Sequence, residues 1–124
     1  MAVASVYQRE IVEVPYQLPD GSIKNHPALV VSCQELQIEE SGLFYAVLIS
    51  SKNLHNKYTI EIKPEDIIDE YRFNKKSYYV THILTYFLCR DIVQRKGIFV
   101  KKDKFNEVVD KVIANIFGII LEYD

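Results

Sequence analysis

Three histidines occur in this chain, His26, His55 and His82. They are the side chains best suited to proton transfer near neutral pH, because a free imidazole titrates at about 6.5. Their spacing is too wide for a metal centre, whose ligands come in short-spaced pairs, so neither a metal nor any other cofactor is expected. The run Ser50-Ser51-Lys52 joins two hydroxyl donors to a cation. Such a group suits an anionic oxygen; equally, two serines at a strand end bond to nearby backbone. Lys24 is a second candidate cation. His55 lies in the polar stretch Asn53–Lys57, where a surface histidine is the simpler expectation. Nine tyrosines with no tryptophan offer rings of the kind on which nucleic-acid bases stack. Tyr45, Tyr58 and Tyr86 read more simply as packing residues.

Composition narrows what these groups can be doing. The 124 residues fit one domain, and 48% apolar content is that of a folded globular chain. No apolar run reaches the ~20 residues needed to cross a bilayer, and Met1–Ser5 lacks the basic start and apolar stretch of a secretion signal. The expectation is a cytoplasmic protein without membrane contact. Cys33 and Cys89 form no C-x-x-C pair and read as buried thiols. The formal charge of −2 argues against strong non-specific nucleic-acid binding. It leaves room for a local basic groove built from Lys24, Lys52, Lys57, Lys75 and Lys76.

The elements that must position these groups are strands first, then a helix. Glu10–Val14 reads as a strand. Pro15–Pro27 is rich in turn formers, and Asp20-Gly21-Ser22 reads as the tip of a long hairpin loop. Ala28–Ser32 and Leu43–Ile49 are apolar, β-branched strands separated by the turn Ser41-Gly42. Tyr58–Ile62 alternates as a half-buried strand, and Pro64–Ile68 suits one helical turn. In the strand Ser77–Leu84, alternation puts Tyr78, Val80 and His82 on one face and Tyr79, Thr81 and Ile83 on the other. Phe105, Val108, Val109, Val112, Ile113, Ile116 and Phe117 recur at helical spacing, with Asp103 as expected N-cap and Gly118 as terminator. That is a helix of about four turns. The apolar tail Ile119-Ile120-Leu121 is expected to dock on the domain or on a second subunit. The fold class is mostly β with a C-terminal helix, a small barrel or roll.

In this order the segments resemble the PemK/MazF family of toxin–antitoxin systems, from about Gln8 to Gly118. Arg9-Glu10-Ile11-Val12-Glu13-Val14 stands for the family's opening strand, and His26-Pro27-Ala28-Leu29-Val30-Val31-Ser32 for its Pro-Ala-Leu-Val strand. Val47-Leu48-Ile49-Ser50-Ser51-Lys52 matches the strand ending in Thr-Ser, and Ser77–Thr85 a later strand. Arg95-Lys96-Gly97-Ile98-Phe99-Val100 occupies the place before the last helix. The resemblance implies a single domain over residues 1–124 with an SH3-like barrel, and a homodimer. It implies metal-independent cleavage of single-stranded RNA, arrest of growth, and an antitoxin that covers the groove and takes the pair to DNA.

The resemblance also locates a site. His26 stands where the family carries an arginine, His82 aligns with an acidic position, and Val80 occupies a second arginine position, so the usual catalytic set is altered. Metal-free RNA cleavage needs a base for the 2′-hydroxyl, donors for the phosphorus transition state and an acid for the leaving oxygen. The resemblance places His26, His82, Ser50 and Ser51 where these tasks are done and Tyr16 in the loop that borders the RNA groove; by charge and position Lys24, Lys52 and His55 are further candidates for RNA contact. The alternative is a catalytically impaired barrel that binds RNA or protein through the same groove.

Overall fold

The computed structural model describes residues 5–52, 56–68, 73 and 75–119. Six strands form one antiparallel sheet: β1 (Glu10–Gln17), β2 (Ile23–Val30), β3 (Leu43–Ser50), β4 (Thr59–Glu61), β5 (Tyr78–Leu88) and β6 (Gln94–Phe99). Their spatial order is β4-β5-β3-β2-β1-β6. A short helix α1 (Gln34–Glu39) joins β2 to β3, and α2 (Lys102–Phe117) closes the fold. The ladder stays open between β4 and β6. A single bridge, Ile67 to Val100, reaches across from the turn after β4 to the residue after β6. Among the described residues no helix is long and apolar enough to cross a membrane.

Both faces of the sheet are buried, which explains the unbroken apolar runs Ala28–Val30 and Ala46–Ile49. Because side chains alternate, Ile11, Leu29, Val47, Ile49, Tyr79 and Ile98 lie on one face, beneath Phe105, Val108 and Val112 of α2. Val12, Val14, Ala28, Val30, Phe44, Ala46 and Leu48 form the second cluster on the other face, with Val6, Phe87 and Cys89. Each fully buried side chain of this size contributes about 1.5–3 kcal/mol. Register follows from this division: Ile11 pairs with Leu29 and Leu29 with Val47, so a slip of one residue would exchange the two cores.

Polar side chains fix the ends. The carboxylate of Glu10, which has no exposed surface, accepts two bonds from Arg95 on the edge strand, at 2.9 Å from Nε and 3.0 Å from Nη2. It also accepts from the Tyr7 amide at 3.0 Å. The buried Gln37 of α1 clasps the N-terminal segment, its side chain exchanging two bonds with the Val6 backbone. Gly118 ends α2 with φ 68°, the left-handed conformation a glycine adopts without cost.

Several expectations are corrected. The hairpin expected over Pro15–Pro27 is mostly paired strand and not loop: β1 continues to Gln17 and β2 begins at Ile23, with the turn at Asp20–Ser22 as expected. Pro15 and Pro27 fit because their strands pair on one side only at those positions. The strand expected at Tyr58–Ile62 is only Thr59–Glu61, and β5 runs on to Leu88. α1 and β6 carry too little periodicity to be read in advance. The N-cap of α2 is Lys101, not Asp103, whose carboxylate instead accepts from the Lys104 amide. Cys33 is exposed while Cys89 is buried. Tyr45 and Tyr86 are exposed and pack on each other, ring centroids 6.3 Å apart, rather than filling the core. At the end of the α2 stripe Ile116 and Phe117 are exposed, as is Ile119; Ile120 and Leu121 lie outside the described residues.

Candidate functional site

The hairpin of β1 and β2 is longer than the sheet is wide. β3 pairs with β2 only from Ala28 to Val30, so Ile23–Pro27 and their β1 partners Glu13–Gln17 extend past β3 as a two-stranded arm. Its tip is tightly built. Asp20 accepts from the amide and hydroxyl of Ser22 at 2.8 and 2.6 Å, and the Leu18 amide donates to the Ser22 carbonyl at 2.8 Å. Gly21 supplies the positive φ the turn requires. The arm walls a groove whose far side is the end of β3 and the start of β5.

Two adjoining cavities occupy that groove. The first, about 230 Å³, is lined by Tyr16, Leu18, His26, Leu48, Ile49, Ser50, Lys52, Thr59, Val80, His82 and Ile83. The second, about 430 Å³, is more polar and includes Lys24, Asn25, Ser50, Ser51, Lys52 and Ser77. Leu18, His26, Ile49, Ser50 and Lys52 line both and so mark their junction.

His26 is the best-defined group there. Its Nε2 is buried with no hydrogen-bond partner, and the Ile49 carbonyl acts on the ring from β3 across the groove. Burial, and next the positive charge of Lys24, push the His26 pKa down; the Ile49 carbonyl opposes them only partly. The ring is therefore neutral at pH 7. Tyr16 stands edge-on to it, centroids 5.9 Å apart.

His82 reaches the groove through an irregularity in β5. Val47 pairs with Leu84, but Ile49 pairs with Tyr79, so two residues along β3 match five along β5. Leu84 and Tyr79 both face the α2 core, and Thr81 accepts from Asn115 of α2 at 2.8 Å. The bulge between them brings Val80, His82 and Ile83 together on the groove side. Strict alternation had put Ile83 on the opposite face. The His82 ring stacks on Tyr58 at 4.8 Å, tilted 40°. Thr81 also donates to the Tyr58 carbonyl at 2.6 Å, which ties that tyrosine to the strand.

Ser50 ends β3, and its hydroxyl accepts from the Lys52 amide at 3.1 Å, turning the chain so that both residues line both cavities. Ser50 thus makes the bond to nearby backbone that was the simpler expectation, and it also lines the groove. Of the eight residues singled out in advance, His26, Ser50, Ser51, His82, Tyr16, Lys24 and Lys52 line one or both cavities. His55 lies outside the described residues. Lys57, Lys75 and Lys76 line neither; Lys76 pairs instead with Glu61 at 3.2 Å. Leu18, Thr59, Asn25 and Ser77 also line the groove and went unremarked in the sequence. Only the turn chemistry around Asp20, which fixes the arm, hinted at Leu18 and Asn25. Among the described residues no arginine lines either cavity.

No family model matches the sequence, and no curated protein matches it significantly. Solved structures do match the fold. A crystal structure of MazF from Deinococcus radiodurans superposes with a TM-score of 0.72 at 14% identity, covering 94% of this chain and 99% of that one. An endoribonuclease in complex with its cognate antitoxin, from a mycobacterial species, gives 0.71 at 11% identity, covering 95% and 100%. Mycobacterium tuberculosis toxin MazF-mt6 gives 0.64 at 13% identity, covering 91% and 100%. The chain therefore has the fold of the MazF toxins, as the order of its segments implied, in a sequence far from theirs.

Proposed function

We propose that this chain is the toxin of a toxin–antitoxin pair, a metal-independent endoribonuclease acting on single-stranded RNA. One observation carries the reading: a neutral, partner-seeking His26 shares a groove with His82, two serines and two lysines. The MazF-type fold supports it at the level of architecture.

In this reading the ribose 2′-hydroxyl gives its proton to His26 Nε2 as its oxygen bonds to the adjacent phosphorus. The P–O5′ bond breaks, and His82 protonates the departing oxygen. The products are a 2′,3′-cyclic phosphate and a 5′-hydroxyl end. Ser50, Ser51 and Lys52 donate to the non-bridging oxygens as charge develops. Lys24 neutralises a neighbouring phosphate and also holds His26 deprotonated. Because Nε2 is buried, substrate engages it only with a side-chain rearrangement, and Tyr16 on the arm is placed to make it. The partner is an antitoxin covering this groove, the working form is a homodimer in the cytoplasm, and unrestrained activity arrests growth.

Among the described residues no arginine lines the groove, which favours a second reading, a groove that holds RNA or a protein segment without cutting. Expression of the parent and of His26→Ala in cells, with mapping of RNA ends, separates the two. Growth arrest and cyclic-phosphate ends from the parent alone establish the nuclease. Intact RNA and normal growth with both leave the binding module.

A further inference from the structure

His82 sits on a stretch that the sheet itself does not hold. The β3–β5 ladder has pairs at Tyr79 and at Leu84, and the β4–β5 ladder ends where Val80 pairs with Thr59. Among the described residues neither ladder has a pair at Thr81, His82 or Ile83. Without ladder bonds, a bulge takes its shape from its side chains. Thr81 has no exposed surface, so its hydroxyl must find its partners inside the protein. It donates to the Tyr58 carbonyl at 2.6 Å and accepts from Asn115 Nδ2, on α2, at 2.8 Å. A threonine hydroxyl has one proton. Because Asn115 donates, that proton goes to Tyr58. Tyr58 closes the short helical turn Asn56–Tyr58 ahead of β4, and its ring lies against that of His82, centroids 4.8 Å apart. A directed chain therefore runs from α2 to the groove, through Asn115, Thr81, Tyr58 and His82.

We infer that Thr81 and Asn115 are positioning residues for His82: their hydrogen bonds set the place of the Tyr58 ring, and that ring sets the imidazole. Neither residue lines either cavity, so neither touches what the groove holds. The consequence for rate rests on the nuclease reading; the consequence for His82 rests on these contacts alone. Proton transfer to a leaving oxygen needs the imidazole within hydrogen-bond reach and aligned. Binding is left to the lysines and serines of the cavities. Loss of the chain should therefore lower kcat and leave KM unchanged.

The ring current of Tyr58 falls on the His82 ring protons, so their NMR signals report the pair directly, with His26 as internal control. Four substitutions dissect the chain. Thr81→Val removes the hydroxyl at nearly constant shape, and Thr81→Ser keeps it. Asn115→Asp puts an acceptor where the donor was, which draws the hydroxyl proton away from Tyr58. Tyr58→Leu removes the ring. Thermal melts establish that each variant folds; should Thr81→Val not, Asn115→Asp, at a half-buried position, carries the test. Thr81→Val and Asn115→Asp are expected to move the His82 signals, to leave those of His26 in place, and to lower kcat about tenfold to a hundredfold. Thr81→Ser should keep the parent values. Adding Thr81→Val to Tyr58→Leu should cost nothing further, because the hydroxyl acts through the ring. Unmoved His82 signals in the folded Thr81→Val and Asn115→Asp variants overturn the assignment. So do additive losses in the double variant, or a loss in Thr81→Ser equal to that in Thr81→Val. Moved signals with undiminished cleavage also overturn it, since the position of His82 would then not matter to the reaction. Moved signals in a protein that leaves RNA uncut uphold the positioning and remove the nuclease.

Discussion

His26 on the hairpin arm and Ile49 on β3 meet at the junction of the two cavities, each lining both. They stand just beyond the last residue pair of the β2–β3 ladder, Ala28 with Leu48.

Burial and Lys24 hold the His26 pKa below its ordinary value, which gives two pH dependences. The rising limb of cleavage that uses His26 as base should have its midpoint below about 6.5. Lys24→Gln removes the neighbouring charge and should move that midpoint up. Stability behaves in the same direction. Below the unfolded value of about 6.5 the unfolded chain binds a proton that the folded chain resists, so His26 lowers stability as pH falls and has no effect well above it. A His26→Gln variant should therefore lose less stability than the parent between neutral and mildly acidic pH, as read by denaturant midpoints.

Glu10 and Arg95 should prove unequal partners. Arg95→Met leaves a fully buried carboxylate with only the Tyr7 amide as donor. It should cost about 3 kcal/mol, near the low end for an orphaned buried charge. Glu10→Gln keeps the shape and leaves Arg95, whose side chain is 33% exposed, free to turn to water. That loss should be about 1–2 kcal/mol. Urea unfolding of the two variants ranks them; an equal or reversed order would show that the pair is not what anchors β6.

Tyr79 is fully buried beneath α2, and its hydroxyl has no hydrogen-bond partner. Burial, with the negative charges of Asp66 and Glu107, drives its pKa up, so the phenol stays neutral at any ordinary pH. Removing an unpaired buried hydroxyl while keeping the ring should be stabilising, so Tyr79→Phe is expected to gain about 1 kcal/mol. A lower melting temperature would mean that the hydroxyl has a partner after all, such as a buried water.

Arg9 occupies φ 77°, a region costly for a side chain with a Cβ. It stays there because its amide donates to Val30 at 2.8 Å and its carbonyl accepts from Val100 at 2.9 Å, joining the edge of the sheet to the start of α2. Arg9→Gly should relieve the conformation and stabilise the fold by roughly 0.5–1 kcal/mol, net of the extra unfolded-state freedom of glycine. Thermal melts of the parent and Arg9→Gly measure it directly.

What the sequence by itself determined was local or additive. Residues such as Asp20-Gly21-Ser22 carry their turn in their own side chains, and the apolar periodicity from Phe105 to Val112 defines which face of α2 is buried. Ala28–Ser32 and Leu43–Ile49 declared themselves as strands by their apolar, β-branched runs. The segment order was enough to point to the fold. The seven site residues that line the groove were recognisable by type, since histidine, paired serines and lysine announce what they can do. Only the tertiary structure decided how they meet. The arm exists because β1 and β2 outrun β3, and pairing between strands is a long-range matter that no local pattern encodes. His82 and Ile83 share a face because of a bulge forced by the β3–β5 register. The setting of His26 depends on Ile49, 23 positions along the chain, which lines both cavities with it. Short elements such as α1 and β6 take their form from what they pack against, through Gln37 and Arg95, and so stay silent until the fold is closed.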